Sequence, residues 1–291
     1  MLGLKFPPIR VHCWGGLGSQ LFALALIADL QRDLPRRSIK LILHTGGVTK
    51  RLSEIDSIAV GIEIEYKNDF MPKQTKTSKI SLSSRKQSVK TQLGKFLNYF
   101  GFIAEANSSE QYMKLRPWVL SVRGHYSRRE ISSKSIKSIA FRLESACQAS
   151  RDISQNYSLA VQYRLGDLLT LDEKNPVPAQ GIIAESADLI EENNISDLWL
   201  YSDTPAIASN NLSKLKSQVR IHVQDVTTIQ TIIDSINTEF FIGTSSKISF
   251  WITLLRFHLG KNSPGSLPIG NEGNIIPLFR IETDLSRINF Y

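Results

Sequence analysis

Two kinds of segment alternate along the chain according to the spacing of their hydrophobic and polar positions. Short β-branched and apolar runs, such as Ile9–Trp14 and Ile39–His44, have the length and composition of buried strands. The segment Leu21–Asp33 has apolar residues on every side of a helix, which predicts a helix buried all round. The other elements predicted in the first half are the strands Ile62–Tyr66 and Trp118–Gly124 and a basic helix over Ser135–Ser150.

A second and more regular series begins near Ser158. The predicted strands are Leu159–Arg164, Leu198–Ser202, Val219–Val223 and Glu239–Ile242, and the helices that follow them are Ile182–Asn193, Pro205–Ser217, Thr227–Ile236 and Ser246–Leu259. Strands and helices at this spacing predict right-handed βαβ units and a parallel sheet. The Gly-, Pro- and Asn-rich stretch 260–277 is predicted to be a loop, and the last dozen residues are expected to pack back onto a domain surface.

The two series together predict an α/β protein with two Rossmann-like domains that face each other across a cleft. We place the domains at residues 1–150 and 151–291, since 291 residues suit about two domains. Between Pro72 and Lys95 the chain has seven Lys or Arg and no acidic residue, with Ser, Thr and Gln in most other places. This interval is too polar to bury much surface and is predicted to be a loop.

The composition, with 42% hydrophobic and 21% charged residues, is that of an ordinary globular protein. Cys13 and Cys147 are too few for a disulfide framework, so a reducing cytoplasm is the expected compartment. No stretch approaches the roughly 18 to 20 apolar residues that a membrane helix needs. The five histidines lack the spacing of metal ligands, so no metal is expected, and most are expected in core or surface positions: His12, His44, His125, His222 and His258.

The net charge of +8 is unevenly distributed. Residues 1–150 hold 24 Lys and Arg against 11 Asp and Glu, a net charge of +13, and the rest of the chain has a net charge of −5. Nucleic-acid binding is disfavoured because the chain has no recognition motif and its aromatic residues are not interleaved with the basic interval. A basic half can instead face anionic lipid headgroups, which favours peripheral contact with the inner face of a membrane.

Ligands of doubly wound sheets bind beyond the carboxyl ends of the strands, so the residues that follow each strand are the candidates for chemistry. The first candidate is Gly15–Gln20, where glycines and a helix start suit a phosphate or a sugar hydroxyl. A tight strand-to-helix turn explains the same residues. The second is Gln162–Asp167, in which Arg164 has the planar fork that suits a diphosphate. An ion pair between Arg164 and Asp167 that closes a turn is the structural alternative.

Two further candidates follow later strands. Asp203 comes after the strand that ends in Tyr201-Ser202, where a carboxylate suits nucleoside or sugar hydroxyls, although Asp203-Thr204-Pro205 also has the pattern of a helix cap. Gly243-Thr244-Ser245-Ser246 brings small hydroxyls and backbone NH groups to a helix start, which suits an anion, and helix capping explains it equally well.

These segments, in this order, resemble the bacterial α-1,2-fucosyltransferases. GGLGSQLFALA is similar to their GGLGNQMFQYA, VQYRLGDLL to their H-x-R-R-G-D segment, LYSDTPAIA to their FSDD segment, and FFIGTSSKISFWITLL to IIANSSFSWWAA. Gly124-His125-Tyr126 resembles the G-Y-F/W-Q that precedes the arginine motif. The resemblance covers residues 9–256, with 45–115 unmatched.

The resemblance implies a two-domain GT-B fold and an inverting glycosyltransferase that needs no metal and no other cofactor. Its donor is a nucleotide sugar, with GDP-fucose favoured, and its acceptor a glycan of bacterial surface polysaccharide, commonly carried on a lipid diphosphate. Arg164 and Asp167 are the implied catalytic residues, with Arg164 on the donor diphosphate, and His125 is an acceptor-side candidate. The implied donor-binding residues are Gly16, Gly18, Ser19, Gln20, Gln162, Asp203, Gln230, Thr244, Ser245 and Ser246.

The departures from the family pattern fall in the expected donor pocket. Gln162 stands in place of a histidine, Leu165 in place of the second arginine, and Gln230 at the position of the aspartate that reads guanine. A different nucleotide sugar, or a catalytically inactive scaffold with the same fold, therefore stays open. The catalytic base is also left open among Asp167, His125, Glu105 and Glu130.

Overall fold

The computed structural model describes residues 7–45, 54–68, 95–147, 158–169, 176–279 and 282–291. The chain divides into two compact units. Unit 1 consists of Met1–Ser53 and Ala59–Ser135, and unit 2 of Glu54–Ile58 and Ile136–Tyr291. The domain boundary predicted near residue 150 falls within 148–157, outside the described residues, and stays a prediction, as does the facing of the two domains across a cleft. The predicted basic loop at 72–95 also lies outside them, except for Lys95.

Unit 1 contains a five-stranded sheet in the order β3-β2-β1-β5-β4, with every neighbouring pair parallel. Its strands are β1 Ile9–Trp14, β2 Ile39–His44, β3 Glu63–Lys67, β4 Ile103–Glu105 and β5 Ser121–Arg123. The helices of the first half are α1 Leu17–Asp33, α2 Ile55–Ile58, α3 (described residues 95–99), α4 Ser109–Met113 and α5 Ser133–Ala146. The predicted bounds of β1 and β2 are confirmed, while β5 is shorter than predicted because Trp118 and Val119 precede the ladder.

Helix α1 is buried on most sides, as its apolar pattern predicts. Its one buried acid, Asp29, is 1% exposed and accepts hydrogen bonds from Arg129 (2.5 Å), Ser132 (2.6 Å) and Ser135 (2.7 Å). A buried carboxylate is tolerated only when it is paired and hydrogen-bonded. Asp29 therefore ties α1 to the segment that leads into α5.

Unit 2 contains a six-stranded parallel sheet in the order β11-β10-β9-β6-β7-β8. Its strands are β6 Ser158–Gln162, β7 Asp197–Tyr201, β8 Arg220–Gln224, β9 Phe240–Gly243, β10 Gly265–Leu267 and β11 Ile288–Phe290. Its main helices are α6 Ala179–Asn193, α7 Pro205–Asn211, α8 Thr228–Asn237, α9 Lys247–His258 and α10 Glu272–Ile275. Counted from β6, this is the 3-2-1-4-5-6 order of the Rossmann fold. The predicted α/β class with two Rossmann-like domains is confirmed.

The predicted loop at 260–277 is wrong in part. It contains β10 and α10, and the chain end forms β11 on the outer edge of the sheet. The strand β10 has the sequence Gly-Ser-Leu, which lacks the apolar pattern of a strand. Gly265 is required because a Cβ there would lie 2.7 Å from the Phe241 ring (Cδ1). The predicted helix Pro205–Ser217 is also interrupted, since α7 ends at Asn211 and 3-10 turns follow over Ser213–Ser217.

Arg256, on α9, is the largest buried charged side chain of unit 2. Its guanidinium donates to the carbonyl oxygens of Pro264, Ser235, Thr238, Glu239 and Ser263 at 2.6–3.0 Å. Burial lowers the pKa of Arg256 to about 10. Five carbonyl partners replace the water that the cation loses, so one side chain joins α9, the start of β9 and the turn before β10.

Candidate functional site

The sheet of unit 2 has a topological switch point between β6 and β9, because the chain proceeds from β6 to β7 and β8 on one side and from β9 to β11 on the other. Ligands of open α/β sheets bind outside the carboxyl ends of the strands at such a point. The residues that follow these two strands are Tyr163-Arg164 and Thr244-Ser245. The topology thus brings together two of the four segments predicted from the sequence.

A network of hydroxyl and amide groups joins the two strand ends. The Oε1 of Gln162 accepts hydrogen bonds from Ser246 Oγ (3.0 Å) and Ser249 Oγ (2.5 Å). Thr244 Oγ1 donates to the carbonyl oxygen of Gln162 and accepts from the backbone NH of Arg164, both at 3.2 Å. Thr244 therefore fixes the backbone at the point where Arg164 leaves the sheet. Ser249 was missed by the sequence analysis.

The segment Thr244-Ser245-Ser246 also leads into helix α9. Ser246 is the N-cap, with its Oγ accepting from the NH of Ser249 at 3.0 Å, so the capping alternative holds for this residue. Ser246 and Thr244 are buried, and Ser245 is exposed, with its Oγ accepting from Asn271 Nδ2 (2.9 Å). Gly243 must lack a side chain here, because a Cβ would lie 2.6 Å from the Cβ of Ser249.

Asp203 holds the loop that carries Arg164. Its Oδ1 accepts from the backbone NH groups of Leu165 and Gly166, both at 2.9 Å. A Cβ at position 166 would lie 2.1 Å from Asp203 Oδ2, so only glycine fits beneath the carboxylate. The helix start predicted at Asp203-Thr204-Pro205 is confirmed, with Thr204 as the N-cap of α7 and Pro205 in its first turn, but no side chain caps the helix. The predicted contact of Asp203 with a nucleoside stays a prediction.

Arg164 is half-buried and lies between two anchored neighbours. Tyr163 and Leu165 are 2% and 1% exposed in the core of unit 2, and Tyr163 Oη donates to the carbonyl oxygen of Val177 at 3.0 Å. Leu165, which stands in place of the family's second arginine, is therefore a core residue in this chain. Asp167 lies in the 3-10 turn Gly166–Leu169, and its side chain is outside the described part of the structure, so the ion-pair alternative with Arg164 stays open.

The amide of Gln230 is engaged within unit 2. Its Nε2 donates to Asp234 Oδ1 (2.5 Å) and its Oε1 accepts from the thiol of Cys147 (3.0 Å). Asp234, 2% exposed, also accepts from Tyr201 Oη at 3.2 Å. Reading of a nucleotide base by Gln230 would require these contacts to open, and that role stays a prediction.

Two further side chains at this edge of unit 2 were missed by the sequence analysis. Glu54, from the short segment of the first half that belongs to unit 2, accepts from the NH groups of Thr228 (3.1 Å) and Ile229 (2.9 Å). The start of α8 is thus satisfied by a carboxylate. Tyr291 Oη donates to the carbonyl oxygen of Gly243 at 2.9 Å, and burial raises the pKa of Tyr291. No local signal marks either contact, since each joins residues far apart in the chain.

In unit 1 the predicted glycine loop connects β1 to α1. Gly15 adopts a φ of +98°, and Gly16 is the N-cap of α1, which has no side-chain cap and no acidic residue in its first turn. Gly15 and Gly16 are exposed, Gly18 is buried, and Gln20 Nε2 donates to the carbonyl oxygen of Gly15 (3.1 Å). Ser19 is half-buried. The loop is therefore both a tight turn and an open helix start that suits an anion.

His125 follows β5 and is exposed. Its backbone NH donates to Asn107 Oδ1 at 2.8 Å, and a Cβ on the preceding Gly124 would lie 2.3 Å from the same oxygen. The next residue, Tyr126, has a φ of 57°, which is uncommon for a bulky side chain. This turn presents His125 at the carboxyl edge of the sheet of unit 1.

Clusters of metal ligands and membrane-spanning helices are both missing from the described part of the chain. Among these residues, no group of three His, Cys, Asp or Glu side chains is placed to hold a metal ion. In the same residues no helix combines the length and apolarity needed to span a bilayer.

No protein-family model matches the chain, and no curated protein sequence matches it either. Among solved structures, POFUT1 in complex with GDP-fucose is 14% identical with a TM-score of 0.43, and the alignment covers 91% of this chain and 98% of that one. The E. coli heptosyltransferase WaaC with ADP is 11% identical with a TM-score of 0.45, covering 97% and 92%. S. aureus MnaA with UDP is 9% identical with a TM-score of 0.43, covering 89% and 78%. Similarity at this level establishes neither a family nor an activity.

Proposed function

We propose that the chain is an inverting, metal-independent glycosyltransferase that moves a sugar from a nucleotide-sugar donor to a glycan. One observation carries this proposal. The backbone NH of Arg164 bonds to Thr244, in the turn Thr244–Ser246, at the switch point of a sheet with Rossmann order. The five family-like motifs in the sequence support the same conclusion.

In the proposed reaction, negative charge develops on the leaving nucleoside diphosphate. An acceptor hydroxyl oxygen forms a bond to the anomeric carbon while the bond from that carbon to the β-phosphate oxygen breaks, with inversion. The electron pair leaves with the nucleoside diphosphate, and the hydroxyl proton passes to a base, for which Asp167 and His125 are the proposed candidates. Arg164 neutralises the developing charge on the diphosphate, a role that a planar guanidinium fills without a metal ion.

The hydrogen bonds of unit 2 suit this role because they fix the backbone around Arg164 in advance. Thr244 accepts from the NH of Arg164, and Asp203 accepts from the next two NH groups. Donors fixed before the reaction cost no reorganisation in the transition state. In this proposal Gln162, Thr244 and Ser246 shape the pocket, and exposed Ser245 meets the β-phosphate.

For the donor we favour GDP-fucose on the strength of the motifs. Gly16, Ser19 and Gln20 of the glycine loop contact the phosphates in this proposal, and buried Gly18 allows α1 to pack on its sheet. Because the amide of Gln230 is held by Asp234 and Cys147, a base other than guanine is the leading alternative. The acceptor is a polysaccharide-precursor glycan, with His125 beside it.

The membrane-surface proposal rests on two features of the first half of the chain. The net charge of +13 in residues 1–150 attracts anionic headgroups at about 1 kcal/mol per basic residue near the surface. Phe96, Tyr99, Phe100 and Trp118 are 44–85% exposed, and Trp118 Nε1 donates to the carbonyl oxygen of Phe100 (2.8 Å). Exposed aromatic side chains near basic ones suit a membrane interface. We expect flotation with anionic but not neutral liposomes; equal flotation with both would contradict the proposal.

The donor proposal is tested by calorimetric titration with GDP, GDP-fucose, UDP, dTDP and CMP, with and without EDTA. We expect binding of a GDP species that survives EDTA and falls at least tenfold in Arg164→Ala. Arg220→Ala is the matched control, since the Arg220 side chain is 75% exposed in the same unit. Selective binding of another nucleotide would keep the mechanism and change the donor. An Arg164→Ala variant that binds and reacts like the wild type would remove Arg164 from the mechanism.

A catalytically inactive scaffold is the second candidate function. The observation that favours it is Leu165, which occupies the core where the family has a second arginine. Absence of binding to all five nucleotides by folded protein would support the scaffold over the enzyme.

A further inference from the structure

Three aromatic rings form a stacked cluster at the carboxyl ends of β1 and β2 in unit 1. Trp14 and His44 are register partners, and their rings stack with centroids 4.3 Å apart and 12° between planes. His12, two residues before Trp14 on the same face of β1, stacks on His44 at 5.1 Å. His12 Nδ1 and His44 Nε2 lie 2.8 Å apart, so one imidazole donates a hydrogen bond to the other.

The surroundings of this cluster are cationic. The charged groups that face His12 are Arg10 of β1, His44 of β2, Lys67 of β3 and Arg123 of β5; these groups and, above all, burial lower the pKa of His12 to about 4. Lys67 Nζ lies 3.8 Å from Glu65. Within the described part of the chain, neither Arg10 nor Arg123 forms an ion pair, and both are exposed. The cluster therefore lies beside two exposed cations, Arg10 and Arg123, with Glu65 of β3 as the nearby carboxylate.

The position of the cluster is that of a ligand site. The sheet of unit 1 has its switch point between β1 and β5, which are the strands of His12 and Arg123. Beside it, Tyr126 is held at a φ of 57° by hydrogen bonds from its Oη to the carbonyl oxygens of His12 (2.5 Å) and Val122 (3.0 Å). Backbone conformations of this kind concentrate at binding sites.

We infer that Trp14, His12 and His44, together with Arg123, bind a pyranose ring that carries a phosphate ester. The half-buried indole supplies a flat apolar surface for the ring, the imidazole pair suits hydroxyl groups, and the guanidinium of Arg123 suits the phosphate. The inference rests on the proposed function in one respect, since such a ligand is the sugar phosphate at the reducing end of the acceptor.

The test uses full-length protein labelled with 5-fluorotryptophan and observed by fluorine NMR. The chain has four tryptophans, two in each unit, and the signal of Trp14 is assigned with Trp14→Phe. The probes are N-acetylglucosamine 1-phosphate, neutral N-acetylglucosamine, inorganic phosphate and GDP. We expect the sugar phosphate to shift the Trp14 signal, with a dissociation constant at least tenfold lower than that of the neutral sugar or of phosphate alone.

Two surface variants keep the inference falsifiable if changes at His12 impair folding. Arg123→Gln is expected to weaken sugar-phosphate binding about tenfold, while Arg220→Gln of unit 2 leaves it unchanged. Arg164→Ala is expected to retain the Trp14 shift, because it alters only the proposed donor site; this separates failure of one proposal from failure of the other. An unmoved Trp14 signal, or sugar-phosphate binding that is equal in Arg123→Gln and the wild type, would overturn the inference.

Discussion

The two units differ in the hydrogen bonding and charge of the polar side chains at their switch points. In unit 2 the polar side chains beside Arg164 are already bonded to one another, as the contacts of Gln162 with Ser246 and Ser249 show. In unit 1 the cations Arg10 and Arg123 near His12 are exposed, and burial together with these cations lowers the pKa of His12. Unit 2 is thus preorganised around one cation, whereas unit 1 has exposed cations that an anionic ligand would neutralise.

The same contrast is found in the buried charges. Asp29 of unit 1 is neutralised by Arg129, so a carboxylate and a guanidinium are buried together. The partners of Arg256 in unit 2, among the described residues, are carbonyl oxygens. The first arrangement is an ion pair, and the second is a cation solvated by backbone dipoles.

Breaking these two arrangements should have the largest effect. Asp29→Ala leaves Arg129 buried without its counter-charge, and Arg256→Met leaves several buried carbonyls without a donor. We expect each change to lower the free energy of unfolding by about 3–5 kcal/mol. Chemical denaturation followed by the fluorotryptophan signals, Trp14 and Trp118 in unit 1 and Trp199 and Trp251 in unit 2, measures both.

Arg32→Gln is the control for Asp29, because Arg32 also contacts that carboxylate but its side chain is 40% exposed. Its expected cost is below about 1 kcal/mol. A loss of the same small size for Asp29→Ala or Arg256→Met would show that burial does not make these charges dependent on their partners.

The next effect is a pH dependence that His12 gives to unit 1. The pKa of His12 is about 4 in the folded chain and about 6.5 when unfolded, so the unfolded state binds the proton first as pH falls. The contribution of neutral His12 to the free energy of unfolding is therefore fully present above pH 6.5. It is lost as the pH falls from 6.5 to 4, which lowers the free energy of unfolding by about 1–3 kcal/mol. Thermal melts across this range should show the decline for the Trp14 and Trp118 signals, and His12→Gln should flatten it. A slope that persists in His12→Gln would assign the effect to another group.

The smallest effect concerns the preorganised loop of unit 2. Asp203 acts through its Oδ1, which accepts two NH groups, and an asparagine carbonyl at the same position accepts them as well. Asp203→Asn should therefore bind nucleotide nearly as the wild type does, whereas Asp203→Ala should bind about tenfold more weakly, which is about 1.4 kcal/mol. Equal losses in both variants would mean that the charge of Asp203, and not its hydrogen bonds, is needed.

Sequence patterns predict most of the fold because strand and helix periodicity is local. The bounds of β1 and β2 agree with the structure, whereas β6 ends at Gln162 and not at the predicted Arg164, and β9 ends at Gly243, one residue after the predicted Ile242. The strand β10 is hidden because Gly265 and Ser266 have no apolar alternation, and its place depends on pairing with β9 and β11. Pairing of this kind is a long-range contact that no local period records.

The candidate site divides in the same way. Sequence alone determined the two α/β series, the charge asymmetry and the strand-end motifs, because each follows from residue type and spacing. The contact of Gln162 with Ser249, the hold of Asp203 on the Arg164 loop, and the pair of His12 and His44 depend on the fold, since these partners are 32 to 87 residues apart. The physical reason is that a parallel sheet sets strands side by side regardless of chain distance, so the partners at its carboxyl edge are chosen by topology.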